Sequence, residues 1–253
     1  MARHLSHTLL TAPVERWRVR RDWLRFGRAL RVTPRADLVL VGTKQEAYVV
    51  PDTVPQRGWI CYCAGVGETI DFELELADRF GCEVHAFDPT PRSIEFATPV
   101  ARTHPGLDFH PVGLWSEDTE QVFWAPQDRK HVSYSIPNIQ GTDTHFTAVC
   151  RRISSVMREL GHDRLDLLKL NIEGAEYGVL DSIAEDELFP HLILVHMHVL
   201  ASVREAISAA RALEARGYVA VHEYRMSVTW LLRDERRKTT PARPPRQHAS
   251  AEG

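Results

Sequence analysis

The sequence lacks the long apolar segments that characterise membrane and secreted proteins. No apolar run approaches the ~18 residues that a membrane-spanning helix needs. The first ten residues, MARHLSHTLL, hold no long apolar stretch before a small-residue cleavage site, so a secretory signal is not expected. Hydrophobic residues make up 43% and charged residues 26% of the 253 positions, which is typical of a globular protein and enough for one large α/β domain.

Cysteine is scarce, with only Cys61, Cys63, Cys82 and Cys150 in the chain. Cys61 and Cys63 lie two positions apart in an apolar run, so on a strand they face opposite sides. The four therefore fit neither a disulfide framework nor a CxxC zinc pattern. We interpret them as small buried residues in a reducing, cytoplasmic compartment, and we predict no metal-binding residues.

The body of the chain has no excess of positive charge. Residues 1–35 carry nine arginines against two acids, a balance of +7, and residues 233–253 carry +3. Because the whole chain has a net charge of −3, the residues between them carry −13. A nucleic-acid-binding domain needs a basic face, so this class of partner is not expected.

The two ends of the chain differ from its centre. The arginine-rich segment 1–35 predicts a helical extension with a thin apolar stripe of Trp23, Phe26 and Leu30. We interpret it as a solvated helix docked by that stripe, and a weak anchor to an anionic surface or a lid over an anionic substrate remains as an alternative. Residues 36–57 predict a β-hairpin, and 233–253 predict a disordered basic tail.

The segment 58–232 alternates apolar strands with helical stretches. Examples are the strand WICYCAG, the helix ETIDFELELADRFG, which is expected to end at Gly81, and the strand EVHAFD. This rhythm, with unbroken apolar strands, predicts a mostly parallel α/β sheet covered by helices on both faces. The last two strands follow each other too closely for a helical crossover, so one of them should run antiparallel.

A glycine turn follows the first of these strands. Gly65 and Gly67 allow the backbone to approach a ligand closely, and Asp88 follows the second strand about twenty residues later, where an acid can accept hydrogen bonds from two ribose hydroxyls. Alternatively, the glycines serve tight helix–sheet packing and Asp88 caps the next helix. A P-loop is excluded, because no GxxxxGK[ST] motif occurs.

The turn departs from a dinucleotide-binding fingerprint. Ile70 stands where a third glycine would be, and Glu68 lies at the start of the helix. An acid there would repel a pyrophosphate from the helix N-terminus, whereas it suits a cationic or zwitterionic ligand. S-adenosylmethionine has an adenosine, a sulfonium and an amino-acid end but no phosphate. It is therefore the favoured ligand.

Polar residues cluster after the strand LDLLKLNI. Lys169 lies inside this apolar strand and would be costly to bury without a partner, for which Glu173 and Glu176 are candidates. Glu173 lies in the turn itself, which favours a functional role. For Glu176, a solvated acid in the first helical turn is the alternative.

Two histidines end the strand LILVHMHVL. His196 and His198 point to the same face of a strand. A single buried histidine is usually a core residue, but two beside the turn of Glu173 favour a place in the active site. Leu114 and Trp115 follow the third strand, where an adenine ring would lie, although ordinary packing also explains Trp115.

The glycine turn with Asp88, the segment LDLLKLNIEGAEYGVL and the strand end LVHMH together resemble the FkbM-type methyltransferases, which use S-adenosylmethionine. The likeness runs from about Leu38 to about Leu232, and the strand motif ending in EGAE is its specific part. The resemblance implies a Rossmann-like seven-stranded sheet, the class I methyltransferase fold, with an antiparallel last strand. It also implies O-methylation, often of sugars or natural-product hydroxyls.

The resemblance extends to individual residues. It places Gly65 and Gly67 against the cofactor, Asp88 at the ribose and Asn171 at the methionine end. With the neighbouring positions, the predicted cofactor-binding residues are Ala64, Gly65, Val66, Gly67, Glu68, Asp88, Pro89, Leu114, Trp115 and Asn171. Two positions depart from the family, which usually has Asp for Asn171 and an acid for His196. The loss of two carboxylates argues against metal-dependent chemistry.

The predicted reaction is methyl transfer to a hydroxyl group of a sugar, glycan or natural product. We expect a neutral His198 to be the general base near pH 7, with Glu173 orienting it or the substrate. Acceptor contacts are expected from residues 115–147, including His131, Ser133 and Tyr134. The alternatives are a nicotinamide-dependent oxidoreductase and a non-catalytic protein that keeps the cofactor pocket.

Overall fold

The structure is a computed structural model that describes residues 13–43, 46–125, 134, 141–199 and 202–233. Its helices are α1 (Pro13–Ala29), α2 (Asp71–Phe80), α3 (Pro91–Thr103), α4 (Ile153–Leu160), α5 (Glu176–Glu185) and α6 (Val203–Ala215). Its strands are β1 (Leu38–Thr43), β2 (Glu46–Pro51), β3 (Ile60–Ala64), β4 (Glu83–Phe87), β5 (Leu107–His110), β6 (Gly113–Leu114), β7 (Thr119–Trp124), β8 (His145–Arg151), β9 (Leu167–Leu170), β10 (Leu192–His196), β11 (Tyr218–Tyr224) and β12 (Ser227–Leu232).

Seven of the described strands form the central sheet, in the order β11-β12-β10-β9-β3-β4-β5. β12 runs antiparallel to both β10 and β11, while β3, β4, β5, β9 and β10 pair in parallel. The predicted sheet with its antiparallel last strand is therefore confirmed. The chain builds outward from β3 to β5 and then returns to β9 beside β3. The order of the strands thus reverses between β3 and β9, and ligands of such sheets bind at the carboxyl ends of the strands there.

Helices cover both faces of this sheet. On one face, Tyr62 and Leu168 join a core with Phe26 of α1 and Val179 of α5. On the other face, Cys61 and Cys63 join a second core with residues of α2 and of the β1–β2 hairpin. Because both faces are buried, the strands contain unbroken apolar runs. Gly81 ends α2 in the left-handed conformation at φ 67°, as predicted.

The N-terminal helix and the hairpin both pack onto the sheet. Phe26 and Leu30 are buried, and Trp23 packs partly buried against the same core, so the predicted apolar stripe is confirmed. Val41 and Val50 of the hairpin are fully buried. The division into segments 1–35, 36–57, 58–232 and 233–253 stays a prediction. Among the described helices, none has the length and apolar character that crossing a membrane requires.

The segment after β5 is more structured than the sequence indicates. The apolar run LDFHPVGL predicts one strand, but β5 ends at His110, before Pro111, which has no backbone N–H to donate. Gly113 then pairs with Cys150 in a separate three-stranded sheet of order β6-β8-β7. A Cβ on Gly113 would lie 2.7 Å from Cys150 Sγ, so only glycine fits there.

Candidate active site at the carboxyl ends of the central strands

The glycine turn after β3 lies against the chain that follows β9. Gly65 and Gly67 both have positive φ angles, of 85° and 62°. A Cβ on Gly65 would lie 2.0 Å from the backbone oxygen of Asn171, and the Asn171 N–H donates to the carbonyl of Ala64 at 3.1 Å. Gly65 is therefore required by the close approach of a neighbouring backbone as well as by its own conformation.

Asp88 links this turn to the start of α3. Its Oδ2 accepts hydrogen bonds from the N–H groups of Val66 at 2.9 Å and Gly67 at 3.0 Å. Its Oδ1 accepts from the backbone N–H of Thr90 at 2.9 Å and from the Thr90 hydroxyl at 2.8 Å. These bonds tie the glycine turn to Thr90, the residue before α3, so both oxygens of Asp88 already have partners within the protein. Ribose binding by Asp88 stays a prediction.

The same bonds decide what the turn can bind. The N–H groups of Val66 and Gly67 already donate to a carboxylate, so they do not form a free site for a phosphate. Glu68 adds a second carboxylate at the helix start, although Arg92 of α3 pairs with it. The turn is therefore poorly suited to an anion.

The side chain of Lys169 holds the glycine turn in place from within the core. It is fully buried, and its Nζ donates to the carbonyl of Gly65 at 2.7 Å and lies 3.3 Å from Oε1 of Glu73, which is also fully buried. The predicted partners, Glu173 and Glu176, are wrong for Lys169. The side chain of Lys169 points to the face covered by α2, where Glu73 lies, while Glu173 and Glu176 lie beyond the end of the strand.

A histidine between two carboxylates lies at the ends of β9 and β10. Oε1 of Glu176 accepts from the backbone N–H of His198 at 2.6 Å and lies 3.2 Å from its Nδ1. On the other side of the ring, Nε2 lies 3.4 Å from Oε2 of Glu173. We call Glu173, Glu176 and His198 the carboxylate–histidine triad. Its members come from the turn after β9, the start of α5 and the end of β10.

The two carboxylates change the charge of His198. Burial alone would lower its pKa, but the charges of Glu173 and Glu176 outweigh burial and raise the pKa to about 10. The imidazole is therefore protonated at neutral pH. This pKa disfavours a neutral His198 near pH 7, and the sequence did not reveal that carboxylates lie on both sides of the ring. The catalytic role of His198 stays a prediction.

The triad is held rigidly by its surroundings. Glu173 has a φ of 51° and Gly174 a φ of 100°, so the turn adopts a conformation that is unusual for a glutamate. The N–H of Gly174 donates to Oε2 of Glu176 at 2.8 Å. The hydroxyl of Tyr177 donates to the carbonyl of His198 at 2.6 Å. Glu176 is fully buried, whereas the side chain of Glu173 is 23% exposed, so Glu173 is the carboxylate that solvent and ligands can reach.

The remaining residues predicted for the site fall into two groups, those buried in the cores and those partly exposed at the edge of the sheet. Ala64, Val66 and Leu114 are at most 3% exposed and belong to the cores. Pro89, Trp115 and Asn171 are partly exposed around the same edge of the sheet. His196 lies beside His198 with ring centroids 4.6 Å apart, and its Nδ1 lies 2.8 Å from the hydroxyl of Ser227.

The predicted acceptor segment is only partly described. His131 and Ser133 lie outside the described residues. Tyr134 packs its ring edge-on against Phe146 of β8, with centroids 5.1 Å apart. Contact of this segment with an acceptor stays a prediction.

Sequence reasoning missed Glu73 and misjudged Glu176. Both are fully buried, and both lie on the apolar stripe of their helices. Glu73 follows Ile70 and precedes Leu76 at helical spacing, and Glu176 precedes Val179 and Leu180 in the same way. An acid at a core position of an amphipathic helix was the signal available for both.

An orphaned polar atom lies beside the turn. Within the described part of the chain, the buried Oγ1 of Thr69, at the entry to α2, has no hydrogen-bond partner. Buried polar atoms normally have one. An unsatisfied hydroxyl at this position fits a bound ligand that carries a polar group.

Two curated proteins from mammals are similar to this chain in sequence. The human "Probable methyltransferase-like protein 24" is 29% identical over 178 residues, which cover 65% of this chain and 42% of that protein. The rat protein of the same name is 28% identical over 178 residues, which again cover 65% of this chain and 42% of that protein. The chain thus spans less than half the length of these relatives.

A solved structure also resembles the chain. It is described as precorrin-6y C5,15-methyltransferase from Geobacter metallireducens, with a TM-score of 0.40 and 14% identity over 80% of this chain and 98% of that one. A similarity of this size does not support a functional assignment.

The family assignment comes from the sequence profile described as "Methyltransferase FkbM domain", which matches residues 63–224. This range contains the glycine turn, Asp88 and the carboxylate–histidine triad, and it covers more than half of the chain. The chain therefore belongs to the FkbM methyltransferase family.

Proposed function

We propose that the chain is an S-adenosylmethionine-dependent methyltransferase that methylates a hydroxyl oxygen of a sugar, glycan or natural product. The observation that carries this proposal is the carboxylate–histidine triad, which lies at the switch point of the sheet beside the glycine turn. A carboxylate beside a protonated imidazole can both bind a hydroxyl group and accept its proton.

The residues of the turn support the choice of cofactor. Gly65, Gly67 and Asn171 would hold the cofactor at the ends of β3 and β9, and Trp115 and Pro89 would flank it. When bound, S-adenosylmethionine supplies an electrophilic methyl group on a sulfonium. The occupied N–H groups of Val66 and Gly67 disfavour the pyrophosphate of a nicotinamide cofactor, so the oxidoreductase alternative is weaker.

Within the triad, we assign the proton-accepting role to Glu173. Its carboxylate is the exposed one, and the acceptor hydroxyl would donate to it. His198 is protonated, so it cannot take that proton, but its Nε2–H has no hydrogen bond of good geometry among the described residues. This nitrogen is buried and lies 3.4 Å from Oε2 of Glu173, so the imidazolium orients that carboxylate. Glu176 fixes the ring from the opposite side.

The proposal is tested by methyl transfer. Purified protein is incubated with S-adenosylmethionine and metabolite or glycan fractions, and products that gain the mass of one CH₂ group are identified by mass spectrometry. With that acceptor, Glu173→Gln should lower kcat about 10²–10⁴-fold while binding of S-adenosylhomocysteine is kept. Glu95→Gln, which removes an exposed carboxylate from α3, is the matched control and should keep full activity.

Two outcomes would contradict the proposal. If Glu173→Gln is as active as Glu95→Gln, Glu173 is not the base. If the cofactor binds but no fraction gains a methyl group, the chain is a binding protein that has kept the pocket, which is the remaining alternative.

We also propose a reducing, cytoplasmic location. Cys61, Cys63, Cys82 and Cys150 are buried and form no disulfide, and burial raises the pKa of Cys150 to about 11, so this thiol is unreactive. A fluorescent fusion that is exported from the cytoplasm would contradict this proposal.

A further inference from the structure

A second cluster of titratable side chains lies away from the active site, on the face of the sheet that α4 covers. Nε2 of His85, in β4, lies 3.2 Å from Oε1 of Glu83, and Nε2 of His162, just after α4, lies 3.5 Å from the same oxygen. The three ligand atoms all lie within 4.8 Å of one another. Such separations are those of atoms that share one metal ion.

The second nitrogen of each imidazole is already engaged. Nδ1 of His162 lies 2.7 Å from the hydroxyl of Tyr62, and Nδ1 of His85 lies 3.0 Å from Nε2 of His110. When each Nδ1 carries the proton and donates to these partners, each Nε2 presents its lone pair toward Glu83. Metal-binding histidines typically have such a partner on the other nitrogen, because it fixes the tautomer and the ring orientation.

The cluster is both built into the fold and accessible. His85 is 4% exposed and the side chain of His162 is 10% exposed, whereas the side chain of Glu83 is 54% exposed and opens a path for an ion. Glu83 starts β4, five residues before Asp88, or about 16 Å away at the rise of a strand. The cluster is therefore separate from the methyl-transfer site.

We propose that Glu83, His85 and His162 bind a divalent first-row transition-metal ion, with Zn²⁺ favoured. Two imidazoles and one carboxylate are a donor set that suits Zn²⁺, while Mg²⁺ and Ca²⁺ prefer oxygen ligands. Three protein ligands leave a fourth position for water. The ion ties the start of β4 to the turn after α4, two segments far apart in sequence, so its binding stabilises the fold.

Zn²⁺ affinity of the full chain, measured by competition with a chromophoric chelator, tests this proposal. Glu83→Gln and His162→Gln should each weaken the tightest site by at least about 100-fold. Tyr62→Phe keeps the packing but removes the hydroxyl beside His162, and it should weaken binding by about 10–100-fold. Glu83 is exposed enough that its substitution should leave the fold intact, which circular dichroism checks.

Two histidine variants serve as controls. His145→Gln removes an exposed imidazole from β8, and His198→Gln removes one from the triad; both should keep the wild-type Zn²⁺ affinity. Zn²⁺ should also raise the melting temperature of the wild type but not that of Glu83→Gln. The proposal is overturned if the wild type and Glu83→Gln bind Zn²⁺ equally, if His198→Gln removes the site instead, or if Mg²⁺ competes at equal concentration.

Discussion

At the scale of single residues, two neighbouring carboxylates decide what His198 can do. A histidine at the end of a central strand is a natural candidate for a general base near pH 7. With Glu176 against Nδ1 and Glu173 near Nε2, however, the proton is held too tightly for that role. We have therefore proposed the partly exposed carboxylate of Glu173 as the base, with the imidazolium beside it. The residue type was evident in the sequence, but its charge state depends on partners that only the fold brings together.

The raised pKa of His198 predicts how stability depends on pH. Its pKa rises from 6.5 to about 10 on folding, so the folded state binds the proton more tightly. The resulting stabilisation is complete below pH 6.5 and is lost as the pH rises toward 10. The difference in unfolding free energy between the wild type and His198→Gln should therefore shrink over that range, as urea titrations at several pH values would measure. His145→Gln is the reference for removing an imidazole, and a difference that grows with pH would contradict the assignment.

Gly65 offers a second test at this scale. Gly65→Ala places a methyl group 2.0 Å from the Asn171 oxygen, while Gly58→Ala, at a similar positive φ of 77°, meets nothing within 4 Å. We expect Gly58→Ala to cost about 1–2 kcal/mol for its backbone conformation alone. Gly65→Ala should cost at least about 2 kcal/mol more, because the turn must also move. Equal unfolding free energies in urea would show that the close approach is unimportant.

At the scale of elements, the ion pair of Lys169 and Glu73 joins the strand β9 to the helix α2 and supports the glycine turn. A buried pair of this kind is costly to break on one side only, because the remaining charge stays buried without a partner. Oε2 of Glu73 has no hydrogen-bond partner in the described residues. The charge of this buried carboxylate is therefore compensated mainly by Lys169.

Removing one partner or both should therefore have different effects. Lys169→Met should destabilise the fold by about 3–5 kcal/mol, and adding Glu73→Gln should recover much of this loss. Equilibrium unfolding of the single and double variants gives the coupling free energy. If the double variant is no more stable than Lys169→Met, the two side chains are not coupled.

The elements themselves were predictable to different degrees. β3, β9 and β10 are buried on both faces, so their apolar runs indicated strands directly, and Gly81 marked the end of α2. The small sheet of β6, β7 and β8 was missed, because β6 has only two residues, β7 and β8 are half exposed, and the pairing joins residues far apart in sequence. The partner of Lys169 was missed for the same reason, since Glu73 lies 96 residues away.

At the scale of the whole molecule, the reversal of strand order between β3 and β9 explains where the site lies. The glycine turn, Asp88 and the triad come from segments spread over more than a hundred residues, yet all lie at the carboxyl ends of central strands. The alternation of strands and helices was sufficient to predict this arrangement and the general place of the site. It was not sufficient to predict hydrogen-bond partners. The bonds from Asp88 to the N–H groups of Val66 and Gly67, and the contacts within the triad, became visible only in the structure.

The central claim is that the glycine turn and the strand ends around it bind S-adenosylmethionine rather than a nicotinamide dinucleotide. Isothermal titration of the purified chain with S-adenosylhomocysteine and, separately, with NAD tests it most directly. We expect saturable binding of S-adenosylhomocysteine that Gly65→Ala weakens strongly and Gly58→Ala does not, and we expect no binding of NAD. Binding of NAD without binding of S-adenosylhomocysteine would contradict the claim, because the pyrophosphate would then have displaced Asp88 from the N–H groups of Val66 and Gly67.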